Sequence, residues 1–186
     1  MYLNRRRLHV GLEHPCSAAL LDAARLSLRA RLNLSGSQFA NKRGIYLGRR
    51  SAKIHVALYR WTKGSVGGRL PGFPDVPIVL VDHVGAKSGK RRTSPLMYHE
   101  DNGVVAVAAS KAGEPTHPAW FHNLRAHPDT TIQTGAEVRK VRARVATESE
   151  RAYWWPCLVE KYPGYEFFQQ RAKNREIAIV LFEPTG

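Results

Sequence analysis

Between residues 78 and 109 the sequence has the pattern of three short β-strands whose connections leave no room for a helical crossover. The β-branched run from Ile78 to Val84 is typical of a strand that is buried on both faces. A second strand is expected at Pro95 to Glu100 and a third at Val104 to Ala109, with a hairpin turn signal at Asp101-Asn102-Gly103 between them. Strands connected in this way pair antiparallel, which argues against a parallel nucleotide-binding sheet.

The rest of the chain adds short helices and three more strands. Helices are predicted at about 52–62, 118–126, 147–161 and 165–173, and strands at 130–134, 138–146 and 177–182. Six antiparallel strands leave the fewest open edges when they curl into a small barrel. We therefore predict a mainly β fold of the α+β type, in which a β-barrel of about six antiparallel strands carries short flanking helices.

The net charge of +14 lies mostly in the N-terminal part of the chain. Residues 1–53 hold eleven lysine and arginine residues and only two acidic ones, so the remainder is mildly basic. Residues 1–40 are expected to form a basic N-terminal extension, either disordered or a helix on a membrane surface, ahead of one folded domain at 41–186. The total charge is typical of nucleic-acid-binding proteins, but its distribution argues against nucleic acid as the partner.

Cysteine content and hydropathy bear on the cellular compartment. Cys16 and Cys157 are far apart and give neither a CxxC redox pair nor a zinc-binding pair, which favours a reducing cytoplasm. No apolar run approaches the roughly 20 residues that a membrane-spanning helix needs. We expect a cytoplasmic protein whose membrane contact, if it has one, is peripheral, at the inner face of the cell membrane and through the N-terminal extension.

The densest chemical signal is the segment Gly85 to Thr93, between the first two strands. Four of its residues are cations and none is acidic, and glycines near both ends allow backbone N–H groups to approach an anion. Ser88 and Thr93 add hydroxyl donors, and Arg92 can bind a phosphate through two N–H groups. The spacing is not that of a Walker loop. The segment therefore predicts a phosphate site, and the alternative is a solvated hairpin tip.

Three other segments are candidates for a ligand site. Ala108 to Gly113 ends a strand with small side chains, against which a flat ring could lie; the equally open alternative is a tight exit from the strand. Trp120 and Phe121 could form an aromatic wall, whereas the histidines near them have neither the spacing nor the carboxylates of a metal site. Tyr162 to Phe168 is either an aromatic core or a substrate wall. Because the sequence has no self-sufficient catalytic motif, an enzymatic function would depend on a bound cofactor.

Five segments occur in an order that resembles the deazaflavin-dependent nitroreductase family, also called the reduced-F420-dependent quinone reductases. These segments are Gly68-Arg69-Leu70-Pro71-Gly72, Val84 to Leu96, Ala108 to Gly113, Pro118 to Leu124 and Tyr162-Pro163-Gly164-Tyr165. The likeness extends from about Asn41 to Pro184. It implies a fold like the FMN-binding split barrel, which agrees with the strand order. It also implies coenzyme F420, a deazaflavin with a phosphate and an acidic tail, and no metal.

The resemblance further implies which residues bind F420. Lys87, Ser88 and Arg92 would bind the phosphate side, while residues 93–97 and 108–111 would line the ring and the ribityl chain. The full implied set is Ala86, Lys87, Ser88, Arg92, Thr93, Ser94, Pro95, Leu96, Met97, Ala108, Ala109, Ser110, Lys111, Ala119, Trp120, Phe121, His122, Asn123 and Tyr165. Tyr165 and Ser110 are the candidate catalytic residues, since one of them or water would give a proton to the acceptor.

The function implied by the resemblance is transfer of a hydride from reduced F420 to a quinone or a nitro-aromatic acceptor. An F420 carrier that binds the cofactor without turnover is the alternative, and a basic nucleic-acid-binding module is a weaker one.

Overall fold

The computed structural model describes residues 49–185. The predicted N-terminal extension at residues 1–40 therefore lies outside the described residues, as does the start of the predicted domain. In the described part the helices are α1 (Arg49–Trp61), α2 (Ala119–Ala126), α3 (Glu148–Lys161) and α4 (Gly164–Arg171), with a 3₁₀ turn at Lys111–Gly113. The strands are β1 (Arg69–Leu70), β2 (Phe73–Val84), β3 (Arg91–Met97), β4 (His99–Asp101), β5 (Val104–Ala108), β6 (Asp129–Thr134), β7 (Glu137–Val145) and β8 (Ile179–Pro184).

The strands form one antiparallel sheet in the order β1-β2-β6-β7-β8-β5-β4, and β3 also pairs with β2. The sheet curls into a half-barrel because its strands twist. Within residues 49–185, no ladder joins β3 to β4, so these two strands flank the open side of the half-barrel. The predicted mainly β, split-barrel-like fold with antiparallel strands and short helices is confirmed.

The strand β2 is longer than the sequence predicted. It begins at Phe73 rather than at 78, because β1 pairs with its first half and extends the ladder to Pro77. The region 64–72, for which the sequence predicted neither helix nor strand, therefore contains a short strand. Proline in this half is tolerated because β2 lies next to only a two-residue partner there.

The segment predicted as one strand at 95–100 is divided at Tyr98 into β3 and β4. β3 begins at Arg91 because Arg91 and Arg92 pair with Val84 and His83 of β2. Two of the four cations of the predicted loop are therefore strand residues. The described residues contain eight strands rather than six, and the two additional ones are only two and three residues long.

The interior of the half-barrel is one apolar cluster, to which the strands contribute alternate residues and α2 contributes a lid. Its fully buried members include Val79, Val81, Val107, Ile132 and Phe182. The opposite face of β5 and β8 packs against α3 and α4 in a second buried cluster. These two strands are thus buried on both faces, which explains their continuous apolar sequences.

The helix α1 packs on the outside of β2 through Tyr59, whose side chain is 1% exposed. The Tyr59 hydroxyl donates a hydrogen bond to the carbonyl of Ile78 (2.8 Å) and accepts one from the N–H of Gly135 (2.8 Å). Val56 is partly buried against the cluster that contains Tyr59, whereas Ile54, Leu58 and Trp61 are exposed. None of the helices in residues 49–185 is both long and apolar enough to cross a membrane.

Candidate cofactor site

The loop between β2 and β3 is closed by its own backbone. The N–H of Gly85 donates to the carbonyl of Lys90 (3.0 Å), and the N–H groups of Ser88 and Gly89 both donate to the carbonyl of Gly85 (3.1 and 2.8 Å). Gly89 has a φ of +62°, a conformation that glycine adopts without strain. The loop therefore holds a fixed turn and does not depend on its side chains for closure.

The cations of this loop are exposed and have no acidic partner. Lys87, Lys90, Arg91 and Arg92 are all on the surface, and no ion pair of the described residues includes any of them. Four like charges within six residues repel one another, and an anion bound among them would relieve that repulsion. The predicted phosphate-binding residues are thus exposed and close in sequence at one end of the half-barrel.

A series of hydrogen bonds between interior side chains holds the β2–β3 loop to the half-barrel. The N–H of Ala86 donates to Oδ1 of Asn123 (3.0 Å), Nδ2 of Asn123 lies 2.9 Å from Nδ1 of His83, and Nε2 of His83 lies 3.0 Å from Oγ of Ser94. A backbone N–H can only donate, so the orientation of the Asn123 amide is settled, and its NH₂ group must donate to His83. His83 therefore carries its proton on Nε2 and donates it to Ser94.

Electrostatics agree with a neutral His83. Burial is the largest cause that lowers the pKa of His83 from 6.5 to about 4; the positive charge of Arg92 contributes to the shift and Asp82 opposes it. His83 and Asn123 are 6% and 8% exposed. Asn123, predicted to contact the cofactor, thus has both ends of its amide occupied by the protein, and His83 is a site residue that the sequence analysis missed. Its sequence signal was a histidine, next to Asp82, in the mainly apolar segment 78–84.

In β3, the residues 93–97 that were predicted to line the cofactor alternate between the two faces of the sheet. Ser94 and Leu96 share the interior face with Val81 and Val79, their partners in β2. Thr93 lies on the outer face, where its hydroxyl donates to Oδ1 of Asp82 (2.5 Å). The side chains of this run therefore cannot all line one ring. In the described residues β3 pairs only with β2, so the backbone of its other edge is open to a ligand.

The end of β5 turns sharply at the second predicted ligand segment. Ala108 and Ala109 are buried, while Ser110 is half-buried at the start of the 3₁₀ turn. Lys111, which was predicted to bind the cofactor, has its Nζ 2.8 Å from Oε2 of Glu114 and donates to Oγ1 of Thr116 (2.8 Å). This lysine is engaged with the protein, in contrast to the cations of the β2–β3 loop.

One arginine that the sequence analysis did not single out fixes this turn. Arg175 donates through Nη2 to the carbonyl of Ser110 (2.7 Å), through Nε to that of Glu114 (2.8 Å) and through Nη1 to that of Ala109 (3.3 Å). Nη1 also lies 3.5 Å from Nδ1 of His117. No sequence signal marks this role, because Arg175 belongs to no recognisable motif in the connection between α4 and β8.

Of the α2 residues that were predicted to contact the cofactor, some are buried in the core and others are exposed at the surface. Trp120 and Phe121 are 8% and 4% exposed and belong to the interior cluster. Ala119 and His122 are exposed, and they are the members of this set that a ligand at the surface could touch. The His117 ring stacks on Phe121 with 4.3 Å between ring centroids, which extends the aromatic surface toward the turn after β5.

Tyr165, the predicted proton donor, lies in an aromatic cluster. It is 2% exposed, and its ring lies 5.5 Å from that of Tyr162 and 6.2 Å from those of Phe168 and Trp155, measured between centroids. Burial raises the pKa of Tyr165, so the hydroxyl stays protonated at neutral pH. The structure thus brings Tyr165 to α4, beside the turn that carries Ser110, but covers its ring. Its role in catalysis stays a prediction.

Metal ligands are not assembled in the described residues, which contain no group of three or more His, Cys, Asp or Glu side chains suited to a metal ion. The polar features are an exposed cationic loop, an open strand edge and a turn fixed by Arg175. An exposed cation cluster on a preformed backbone turn fits an anionic cofactor with a phosphate.

Comparisons with known proteins agree with this chemistry. A family model described as F420H(2)-dependent quinone reductase matches residues 51–184. A Mycobacterium tuberculosis H37Rv protein named F420H(2)-dependent quinone reductase is 34% identical over 139 residues, 73% of this chain and 91% of that protein. A putative F420H(2)-dependent quinone reductase of the same strain is 40% identical over 109 residues, 59% of this chain and 91% of that protein. The solved structure of an F420-H2 dependent reductase matches with a TM-score of 0.54 and 44% identity, over 57% of this chain and 94% of that one. The chain therefore belongs to the F420H(2)-dependent quinone reductase family, as its five sequence segments predicted.

Proposed function

We propose that this F420-dependent oxidoreductase transfers a hydride from reduced F420 to a quinone or a nitro-aromatic acceptor. Membership of the family supports F420 as the cofactor and quinones as the acceptor class. The observation that carries the proposal is the cationic loop Lys87 to Arg92, whose charges are exposed and unpaired in the described residues while its backbone is held rigidly. A rigid cationic turn binds an anion without a large ordering cost.

In this proposal each part of the site has a separate task. Lys87, Ser88 and Arg92 hold the phosphate and the acidic tail, since their side chains are exposed on the fixed turn. The open edge of β3 and the small residues Ala108 to Ser110 receive the ring, because backbone groups and small side chains let a flat group approach closely. Ala119 and His122 border the same region from α2. Bound reduced F420 supplies the hydride, and the chain supplies orientation and exclusion of water.

The proton that the acceptor oxygen needs has two protein sources in this proposal. Ser110 is half-buried at the surface of the turn, and Tyr165 is protonated but buried. If Tyr165 donates, an acceptor must reach its hydroxyl between α3 and α4. A Tyr165→Phe variant tests this with little change in shape: loss of turnover with unchanged F420 affinity supports the tyrosine, and full turnover leaves Ser110 or water as the donor.

Two measurements test the main proposal. Fluorescence titration should give saturable F420 binding, and the variant Lys87→Ala should weaken it by about 10-fold, because a charge-assisted contact contributes about 1.5 kcal/mol or more. Lys140→Ala is the matched control, because Lys140 is also an exposed lysine and lies on β7. Oxidation of reduced F420 should then follow on addition of menadione or a nitro-aromatic compound.

The outcomes separate the alternatives. No binding at micromolar F420 would overturn the proposal. Binding without oxidation of reduced F420 by any acceptor would favour the carrier. A DNA affinity that falls steeply with salt and depends on residues 1–40 would support the nucleic-acid-binding alternative.

A cytoplasmic location with peripheral membrane contact is part of the proposal, since it would bring the site to lipid-soluble quinones. It is supported by an exposed apolar stripe on α1, formed by Ile54 (62% exposed), Leu58 (41%) and Trp61 (83%). Exposed Lys53 lies in the same helix and exposed Lys63 lies two residues after its end, and both would contact anionic headgroups. Sedimentation of the full chain with phosphatidylglycerol vesicles should be reduced by Trp61→Ser. Absence of sedimentation would refute the membrane contact, and an unchanged amount in the variant would refute the part of α1 in it.

A further inference from the structure

We infer that Arg175 is a positioning residue that holds the turn carrying Ser110 against the helix carrying Tyr165, and so fixes the distance between the two sides of the proposed site. This inference rests on the proposed function for its catalytic consequence. Its structural part rests on three carbonyls of one turn, those of Ala109, Ser110 and Glu114, that accept hydrogen bonds from one guanidinium group at 2.7–3.3 Å.

The turn needs such an anchor because its backbone is strained. Lys111, Ala112 and Gly113 follow one another with φ values of +48°, +52° and +76°. Two of them are not glycine, and each such residue costs about 1 kcal/mol or more, so the conformation persists only where the surroundings impose it. The guanidinium of Arg175 bonds carbonyls on both sides of this strained stretch and therefore imposes it.

The turn also lies very close to α4. A Cβ atom placed on Gly113 would be 2.6 Å from the carbonyl oxygen of Phe168 and 2.8 Å from Cβ of Arg171. Gly113 thus lies directly against the backbone of Phe168 and the first side-chain carbons of Arg171, and there is no room for a side chain of its own. A small displacement of the turn would change the position of Ser110 relative to α4 directly.

Arg175 is itself held by α4. Nε2 of Gln169 donates to the carbonyl of Arg175 (2.9 Å), and Oε1 of Gln169 accepts from the N–H of Ile177 (2.8 Å). Gln169 is one helical turn after Tyr165. The connection from the helix of Tyr165 to the turn of Ser110 therefore runs through the side chains of Gln169 and Arg175, each of which hydrogen-bonds backbone groups.

This arrangement predicts that loss of Arg175 affects hydride transfer more than cofactor binding. The residues proposed to bind the phosphate lie at the β2–β3 loop, which His83 and Asn123 hold in place independently of Arg175. A change at Arg175 should therefore leave the affinity for F420 nearly unchanged while it lowers kcat. A residue that only stabilises the fold would lower the melting temperature without separating these two quantities.

The test uses the full chain with Arg175→Ala, Arg175→Lys and Lys173→Ala. Lys173 is the control because it is an exposed cation in the same connection. In the cofactor-free protein, hydrogen exchange of residues 109–117 should be about 10-fold faster in Arg175→Ala than in the wild type, with residues 85–92 unchanged. Arg175→Lys, which keeps the charge but can donate to fewer carbonyls, should give intermediate exchange, and Lys173→Ala should match the wild type.

With F420 bound, the expected result for Arg175→Ala is a kcat lower by about 10- to 100-fold and a change in the F420 dissociation constant below about 3-fold. Unchanged exchange at 109–117 would overturn the positioning role. So would a kcat and an affinity that fall together. If Arg175→Ala does not fold, Arg175→Lys decides by the same criteria. Failure of the wild type to bind F420 would refute the proposed function, and the exchange measurement would still decide the anchoring of the turn.

Discussion

The buried histidine beneath the cationic loop makes the stability of this protein depend on pH in a defined window. His83 is 6% exposed, accepts a hydrogen bond from Asn123 and donates one to Ser94, so only its neutral form fits the network. Burial, with a further contribution from Arg92, holds its pKa at about 4 instead of 6.5. In the unfolded chain the same imidazole takes up a proton near pH 6.5.

The sign and size of this pH effect on stability follow from the pKa values of His83 in the folded and the unfolded chain. Because the folded pKa is lower, the unfolded chain binds more protons between pH 6.5 and 4, and the free energy of unfolding decreases as the pH falls through this window. The contribution of neutral His83 to the free energy of unfolding is present in full above pH 6.5 and is lost below pH 4. At about 1.4 kcal/mol per pH unit, the loss reaches about 2 kcal/mol at pH 5 and about 3 kcal/mol at pH 4.

Urea denaturation of the wild type and of His83→Gln at several pH values between 7.5 and 5 measures this effect. Burial also lowers the pKa of His99 and His117, so the wild-type curve contains their contributions as well. The difference between wild type and variant isolates His83, because glutamine keeps hydrogen-bonding groups but does not titrate in this range. We expect the stability difference between wild type and variant to shrink by about 2 kcal/mol from pH 7.5 to pH 5.

A matched control is His127→Gln, since His127 is exposed at the end of α2. Its curve should stay parallel to that of the wild type. If the curves for wild type and His83→Gln were parallel over the same range, His83 would have the same pKa in both states, and the inference of a neutral, buried hydrogen-bond relay would be wrong.

Three further changes test separate parts of the structure. Thr147→Ala removes the capping box of α3 and should lower the free energy of unfolding by about 1 kcal/mol in urea titrations, and an unchanged midpoint would contradict the observed cap. Gly113→Ala should destabilise by about 2 kcal/mol or more, because φ is +76° and the new Cβ would be 2.6 Å from the carbonyl oxygen of Phe168; a neutral effect by thermal unfolding would argue against this close approach. Arg92→Gln removes a positive charge near His83, so NMR titration should show the pKa of His83 rising from about 4, and no rise would remove Arg92 as a cause.

Local sequence patterns predicted the elements whose structure depends on near neighbours. The Asp101-Asn102-Gly103 hairpin has φ values of +50° and +77° at its last two residues, as such a turn requires. The Thr147 capping box is present in full, with the Glu150 side chain accepting from the Thr147 N–H. Both features are set by residues within three positions of one another. A single sequence therefore contained enough information to predict them.

Long-range contacts account for what the sequence analysis did not predict. β3 starts at Arg91 because its partner residues in β2 are already fixed, and nothing in an Arg-Arg pair indicates a strand. Arg175 bonds carbonyls 61 to 66 residues earlier, and Asn123 meets His83 across 40 residues. The aromatic segment around Tyr165 left core and substrate wall equally open, and the burial of its ring depends on how α3 and α4 pack.

The two loops proposed to hold F420 share one physical design, although their sequences differ. In each, a buried or half-buried side chain from a distant segment bonds the loop backbone: Asn123 for the β2–β3 loop and Arg175 for the turn after β5. The exposed cations of the β2–β3 loop are then not needed to hold the loop in place, and they remain available to bind a ligand. Because fixing a loop costs conformational entropy, a loop ordered during folding leaves less of that cost to cofactor binding. It follows that a change at Asn123 should weaken F420 binding through increased motion of the β2–β3 loop, and a change at Lys87 through lost attraction. Only the second effect should diminish as salt is raised.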